Sequence, residues 1–591
     1  MRGQLGLWGL CGVCALGCGG AQSPVSAAPP SLTLLHTSDL HSRLWPFRSR
    51  ISRFEAELGL GTALALSEVG GAARLGTLLT RERARGPTLW LDSGDALEGA
   101  EVFQRYGGHV ELELLSALGL SAMALGNHEL SLSATDLSDV LGGSARFPLL
   151  SANVVPRADS PLFGRVLSSA VLRVAGVRVG VIGLANPHSP PNLQEPGNPW
   201  GLTASPELAE AAQHAIDELL PRVALVVVLS HLGLDQDHAF VAGTTGVDLV
   251  LGGHQHVLTP EPEWQDDCTS AKLQEERGCS PRRVPIVHSG AYSQWLSRLE
   301  LRVEPDRSQP EALEIEELSL VELPLAETVP PDPEIARFLE QRRRPPEPPL
   351  AYLPDGVARR SALGADSPLG NLATDAMRAT AAADVVLLNT SGLRDDLEPG
   401  ELLRSDLELV FPFAEAWRLV WLSGRMLRQG LERAAWRSAA QDCVSTLQVS
   451  GLQLRLRCAA CRARQASCLE VGRPAAAEGA HGTVPLEDSA RVLTALPEYL
   501  TLPGADFEAV GGSGAELDGD VASVLARHFQ TFSQQADLAA CRASLQSASD
   551  ARCREAFGAL SCPLDRAHES AICSALPSVK GERDGRIEML P

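Results

Sequence analysis

Five short segments of this chain carry side chains able to hold a cation: Ser38-Asp39-Leu40-His41, Asp92-Ser93-Gly94-Asp95, Gly126-Asn127-His128-Glu129, Ser230-His231-Leu232-Gly233 and Gly252-Gly253-His254-Gln255-His256. Carboxylate, imidazole and amide-oxygen donors in one place suit a transition-metal site. Asp39 and His41 stand two apart, so at a strand's end they can turn to the same side. Asp95 follows Gly94, which lets the backbone approach an ion closely, and its two oxygens can bridge two cations. Asp92 is the local rival, with a turn or helix cap as its plain alternative. Asn127 offers a neutral oxygen, while the adjacent His128 points elsewhere and is free to meet a substrate. Each segment alone is also readable as an ordinary polar turn.

What must position these segments is a set of strands. Each follows an apolar run of strand length: Leu32 to Leu35, Thr88 to Leu91, Ala122 to Leu125, Val223 to Leu229 and Val247 to Leu251. The unbroken run from Val223 predicts a strand buried on both faces. In open α/β sheets polar chemistry gathers where strands end, so five such ends predict one site. Farther on, Leu299 to Val303 alternates and predicts a half-exposed closing strand. Prolines flank a short helical pattern from Pro333 to Arg343 in a connector, residues 324–354, with Arg342-Arg343-Arg344 read as a solvated helix end. Beyond it, Ser367-Pro368 predicts a capped helix start, and Val385 to Leu388 a buried strand ending in Asn389.

With 591 residues, 44% of them apolar, the chain has material for two domains, and a formal charge of −22 argues against a nucleic-acid polymer as partner. Residues 1–30 read as an export signal and tether. Ala15-Leu16-Gly17-Cys18 resembles a bacterial lipoprotein box that would lipidate Cys18; cleavage after Val25-Ser26-Ala27 is the competing reading. The expected location is accordingly exported, periplasmic or on the outer membrane. Of the 13 cysteines, those after Cys18 fall into even groups, which in an exported chain favours disulfides: Cys268 with Cys279; Cys443, Cys458, Cys461 and Cys468; and four between residues 534 and 577. A zinc site in the second group stays open as an alternative.

The ordered set Asp-x-His, Gly-Asp, Gly-Asn-His-Glu, Ser-His-Leu-Gly and Gly-Gly-His-x-His resembles a calcineurin-like metallophosphoesterase domain. Together with Ser367-Pro368-Leu369-Gly370-Asn371, Asn389-Thr390-Ser391-Gly392-Leu393-Arg394, Phe411-Pro412-Phe413 and Phe507-Glu508-Ala509-Val510-Gly511-Gly512, the chain resembles the secreted bacterial 5′-nucleotidase and UDP-sugar hydrolase family. The resemblance implies an α/β (α+β) fold: a four-layer αββα metallophosphoesterase domain over 31–323 and a smaller α+β substrate domain over 355–591, with cysteine-rich insertions near 443–468 and 534–577. It implies that Asp39, His41, Asp95 and His256 hold one divalent ion and Asp95, Asn127, His231 and His254 a second (Zn, Mn, Fe or Co). His128 would contact the phosphate, and Ser131 stands where that family usually has an Asp that orients this histidine. Phe413 and Phe507 would sandwich a base while Asn389 and Arg394 hold its polar edge. Ala365 and Ser513 replace an Arg and a ribose-binding Asp of the usual pattern. His288 reads either as a support for the site or as a core histidine.

The implied activity is hydrolysis of nucleotide-type phosphate monoesters, with the ions activating water for in-line attack on phosphorus. The alternatives are the same fold acting on a cyclic nucleotide, a UDP-sugar, a sugar phosphate or a thiosulfate-type ester, and a metal-retaining surface protein with little turnover.

Overall fold

The computed structural model describes residues 31–205, 207–305, 313–345, 347–353, 355–360, 364–413, 415–441, 443–465, 468–474, 483–511, 513–517, 519–535 and 586–590. The signal and tether, Cys18 and the last four cysteines lie outside them.

Leucines at alternate positions of Ser31–Thr37 and Thr88–Asp92, with the buried Ala122, Met123 and Ala124, build the middle of a seven-stranded sheet. Its order runs Leu313–Pro324, Trp295–Pro305, Ser31–Thr37, Thr88–Asp92, Ala122–Ala124, Leu149–Leu150, Val166–Leu167. From Ser31–Thr37 onward neighbours are parallel; Ser31–Thr37 and Trp295–Pro305 pair antiparallel. A six-stranded sheet lies against it, ordered Glu263–Asp266, Arg283–His288, Leu249–Gly252, Leu225–His231, Val177–Ala185, Ser169–Val174. The four central strands are parallel. Every residue of Leu225–His231 is buried, as its unbroken apolar run predicts.

One side of each sheet faces the other sheet. Leu32, Leu34, Leu89 and Leu91 pack there with Val179, Val181, Val227 and Leu251. The outer sides carry helices, Ala72–Arg83 and His109–Ala117 over the first sheet and Leu208–Leu219 and Leu234–Ala242 over the second. The result is the four-layer αββα arrangement. The sheets come closest where a Cβ on Gly183 would fall 2.1 Å from the Leu150 carbonyl oxygen, an approach that only glycine permits.

A file of buried polar side chains crosses this first half from the sheet edge to beneath the site. Glu322 Oε2 lies 2.6 Å from Ser297 Oγ, which lies 2.7 Å from Ser289 Oγ. His36 continues the file, with Nδ1 2.5 Å from Ser289 Oγ and Nε2 2.8 Å from Ser93 Oγ. Ser93 Oγ donates to the Leu251 carbonyl at 2.6 Å.

The second half is a five-stranded mixed sheet, ordered Leu447–Ser450, Val385–Asn389, Arg491–Pro497, Trp417–Ser423, Ala515–Leu517. Pro368–Ala381 packs on one side and Gly424–Ala440 on the other. Ser367 caps Pro368–Ala381, accepting from the Gly370 N–H at 3.0 Å. Ile587–Leu590 returns to pair in parallel with Gln453–Arg457. Disulfides join Cys268 to Cys279, Cys443 to Cys458 and Cys461 to Cys468. The zinc alternative for the second cysteine group thereby falls, since all four of its sulfurs are spent on disulfides.

Two features of the connector differ from the expectation. Its helix ends at Glu340, capped at the other end by Asp332. The arginines after it are not free in solvent: Arg344 bridges Glu101 (2.9 Å) and Glu408 (3.1 Å), and Arg342 reaches Glu113 (3.3 Å). Carboxylates from both halves neutralise this run. A second tie is Arg43, buried between the halves, which pairs with Asp395 at 2.7 Å and lies over the Phe47 and Tyr292 rings.

Candidate metal centre and cleft

The five polar segments leave their strands at the same edge of the two sheets. Their backbones bend sharply there, with Asp39, His41, Asp95, His254 and His256 all at positive φ. Such strain in non-glycine residues is typical of functional loops. Gly126 permits the tightest contact, since a Cβ on it would meet Asp95 Oδ1 at 2.2 Å. Glu129, wholly buried below, straps the loops together: its carboxylate accepts the N–H groups of Asp95, Ala96, Leu97 and Gly126 at 2.8–3.2 Å.

Three donor groups result, each with ligand atoms within 4.8 Å of one another: Asp39, His41 and His256; His41, Asp95 and His128; Asp95, His231 and His254. Asp95 stands between the outer two. His231 Nε2 is 2.9 Å from Asp95 Oδ2 and 3.3 Å from Asn127 Oδ1. His254 Nδ1 is 3.0 Å from Asn127 Oδ1, while its Nε2 meets the Asn186 amide at 3.1 Å. His41 Nε2 and His256 Nε2 face each other at 3.0 Å, and His256 Nε2 lies 3.5 Å from Asp39 Oδ1. Both Asp39 oxygens accept from the His254 N–H. Asp92 is spent on its own turn, accepting from Thr37 Oγ1 and the Gly94 N–H.

The donor set fits divalent cations on its own chemistry. The Glu98 carbonyl takes the Nδ1 proton of His41 at 2.8 Å, and the Ser93 carbonyl that of His231 at 2.7 Å. For His41 this turns the Nε2 lone pair toward His256 Nε2 at 3.0 Å, a crowding of donors that a cation between them would relieve. Burial, with Arg394 and other imidazoles nearby, holds His41 and His256 well below the usual range and His254 at about 3. Burial opposes ionisation of Asp95, yet the His231, His128 and His41 imidazoles hold it low. Neutral His41, His254 and His256 beside an ionised Asp95 are in the state that a metal binds; burial opposes a charge on His231, but Asp95 outweighs it and pushes that imidazole up to about 10, so a proton leaves there as a cation enters.

His128 is turned differently. Its Nδ1 is 2.6 Å from Glu98 Oε2, and Ser131 Oγ donates to the same oxygen. Ser131 is therefore one step removed from the ring that it was expected to touch. A carboxylate from another loop stands between them.

The metal centre opens on a cleft of 1470 Å³ between the halves. Arg394 reaches in from the second half, its Nη2 3.3 Å from His41 Nε2 and 3.4 Å from His256 Nε2. Phe413 lies flat on His128, centroids 5.4 Å apart and planes at 14°. Asn389 lines the cleft with a buried Oδ1 that has no hydrogen-bond partner among the described residues.

Phe507 is the exception and a correction. It is 2% exposed in the core behind the cleft, packed against Gly430, where a Cβ would meet its ring at 2.2 Å. From the second half, the aromatic residue that joins Phe413 in lining the cleft is Tyr499. The signal for it was positional: it lies two residues beyond the end of the strand Arg491–Pro497, just as Asn389 ends Val385–Asn389. Ser513 spends its hydroxyl on the Val510 carbonyl at 2.6 Å, whereas Asp506, paired with Arg437, lines the cleft. His288 is a core histidine, bonded at 2.8 Å to Asp237. Glu98, Asn186 and the strap of Glu129 carried no sequence signal beyond an acidic or amide residue near a turn.

Comparison with known proteins agrees with this geometry. The calcineurin-like phosphoesterase family model matches residues 32–258, and the 5′-nucleotidase C-terminal domain model matches 349–509. The 5′-nucleotidase of Bos taurus is 30% identical over 458 residues, covering 73% of this chain and 76% of its own. The structure of a 5′-nucleotidase precursor from Thermus thermophilus superposes with a TM-score of 0.73 at 26% identity, covering 95% of this chain and 99% of that one. A sulfate thiohydrolase of Thermus thermophilus shares the fold at a TM-score of 0.66 and 22% identity, over 85% of this chain and 95% of the other. Two family models in the order that the strands and cleft require, and a relative of that identity across most of both chains, establish that the chain belongs to the 5′-nucleotidase family of metal-dependent phosphoester hydrolases.

Proposed function

We propose that this protein is an exported 5′-nucleotidase that hydrolyses nucleotide-type phosphate monoesters with two divalent ions, drawn from Zn, Mn, Fe and Co. The observation that carries this reading is the cleft itself: at one end lie the groups able to hold cations, and on its walls Arg394, Phe413, Tyr499 and the Asn389 acceptor, unpartnered among the described residues. Asp39, His41, Asp95 and His256 would hold one ion, and Asp95, Asn127, His231 and His254 the other. Bound there, such ions supply Lewis acidity and acidify water. The chain does the rest. Arg394 holds the phosphate oxygens, Phe413 and Tyr499 flank the base, Asn389 meets its polar edge, and His128 Nε2 faces the leaving oxygen. Burial lowers the proton affinity of His128, but Asp95 and Glu98 outweigh it and raise it above the ordinary value, as suits a group that must carry positive charge when the leaving oxygen departs.

Export, to the periplasm or as an outer-membrane lipoprotein anchored through Cys18, is supported by the sequence of residues 1–30 and by the disulfides. Among the described residues no helix is long and apolar enough to cross a membrane. The division into 31–323, a connector and 355–591 is proposed with it. A second reading, hydrolysis of a larger ester such as a UDP-sugar, is favoured by the room in the cleft and by Arg359 and Arg360 on its wall. The test is release of phosphate from AMP, UDP-glucose, glycerol phosphate and thiosulfate-type esters with added Mn or Zn. AMP should lead, and chelation should abolish its hydrolysis. Turnover confined to substrates without a base, or unaffected by chelation, would reject the proposal.

A further inference from the structure

Glu98 follows Asp95 by three residues and stands at a bend. Its φ is +53°, and the next residue, Gly99, has φ +146°. A Cβ on Gly99 would lie 2.5 Å from the His41 carbonyl oxygen. A left-handed glutamate is uncommon and strained. What the bend achieves is to aim both polar ends of one residue at two imidazoles. The main-chain carbonyl accepts from His41 Nδ1 at 2.8 Å, and the carboxylate meets His128 Nδ1 at 2.6 Å. Ser131 Oγ, donating to the same carboxylate oxygen, fixes the rotamer of Glu98. The Glu98 side chain is 14% exposed and that of His128 13%, so water does not compete freely for the pair. Phe413 covers the ring face of His128. With Nδ1 held, Nε2 is the nitrogen turned toward the ester.

We propose that Glu98 is the positioning carboxylate for the His128 imidazole, and that Ser131 serves by orienting Glu98. The negative charge missing at position 131 is supplied from a separate loop. This rests on the reading of His128 as the group facing the leaving oxygen, and the tests separate the two ideas.

The variants are Glu98→Gln, Ser131→Asp, the two combined, and His128→Ala as control, each assayed as folded, metal-loaded protein with AMP and p-nitrophenyl phosphate. A nucleoside oxygen needs help to leave, and a nitrophenolate needs little. Glu98→Gln should lower kcat for AMP by about 10- to 100-fold, the usual worth of a partner that orients a functional histidine, and for the nitrophenyl ester by less than about threefold. KM and metal content by elemental analysis should be unchanged, because the carbonyl bond to His41 survives the substitution. Ser131→Asp alone should lower activity, since it sets a second carboxylate against Glu98. Combined with Glu98→Gln it should restore kcat for AMP, because Ser131 and His128 already share one oxygen as partner. Equal losses on the two esters, loss of metal, or no recovery in the double variant would each overturn the proposal. If His128→Ala itself shows no bias between the esters, the reading of His128 falls instead.

Discussion

Asp95 is the residue on which the metal centre depends most. It stands within 4 Å of three imidazoles, those of His231, His41 and His128, and its other oxygen accepts the His128 N–H at 2.8 Å. Asp95→Ala should abolish phosphoesterase activity and most metal binding while the fold persists. Elemental analysis checks it; two tightly held equivalents in the variant would reassign the bridge. A second outcome separates Tyr499 from Phe507. Tyr499→Ala should weaken nucleotide binding by about 1–3 kcal/mol, the usual worth of one stacked base, and leave KM for glycerol phosphate unchanged. Phe507→Ala should cost about 3–5 kcal/mol of stability, as large core truncations do, with denaturation midpoint as readout. The proposed ligands from Asp39 to His256 were legible because each lies in a short motif whose meaning is local. Glu98 was not, because its task depends on where a left-handed bend sends it. Phe507 misled because its spacing to the Gly511-Gly512 pair suggested a place on the cleft, whereas the fold buries it in the core and sets Tyr499 on the wall.

At the scale of elements, the apolar runs revealed strands but not what the buried polar groups between them require. Within Glu322–Ser297–Ser289–His36–Ser93 each hydroxyl has one proton to give. Burial drives His36 down to about 3 and therefore neutral, and burial pushes Glu322 up to about 8, against the pull of the Ser297 hydroxyl. A protonated Glu322 lets every bond in the file run one way, ending on the Leu251 carbonyl. Its folded pKa lies above the ordinary value of 4.5, so the native state binds the extra proton between the two. Stability from this group is complete below about pH 4.5 and is lost as pH rises toward 8. Glu322→Gln, which keeps a donor, should gain on wild type between pH 5 and pH 8 by a few kcal/mol, of order the shift converted at about 1.4 kcal/mol per unit. Parallel melts at the two pH values measure it; an equal difference at both would remove the proton from Glu322. The partners within Cys443, Cys458, Cys461 and Cys468 were similarly out of reach, since four cysteines fix a number of bridges and not a pairing, whereas the lone pair Cys268 and Cys279 left no choice.

For the whole molecule, the division into two halves could be read from composition, but their attachment could not. Arg43 and Arg344 each meet groups more than 60 residues away, Asp395 for the first and Glu408 for the second, and nothing local marks them. The donor cage spans both sheets of the first half: Asp39, His41, Asp95 and Asn127 come from one, and His231, His254 and His256 from the other. An ion there binds only the folded chain and stabilises it by mass action, by about 2.7 kcal/mol at a hundred times its dissociation constant. Chelation should lower the melting temperature and added Mn or Zn restore it; a melt indifferent to metal would argue against a cage built across the sheets. The separation of these ligands along the chain has a consequence for the order of events in a cell. No fragment ending before residue 256 contains all the proposed ligands, so ions held by them would come after the two sheets have brought those loops together. A chain carried unfolded across a membrane crosses it without cargo, and its cofactor is set by the metal supply of the compartment where folding ends, whatever the supply where it was made.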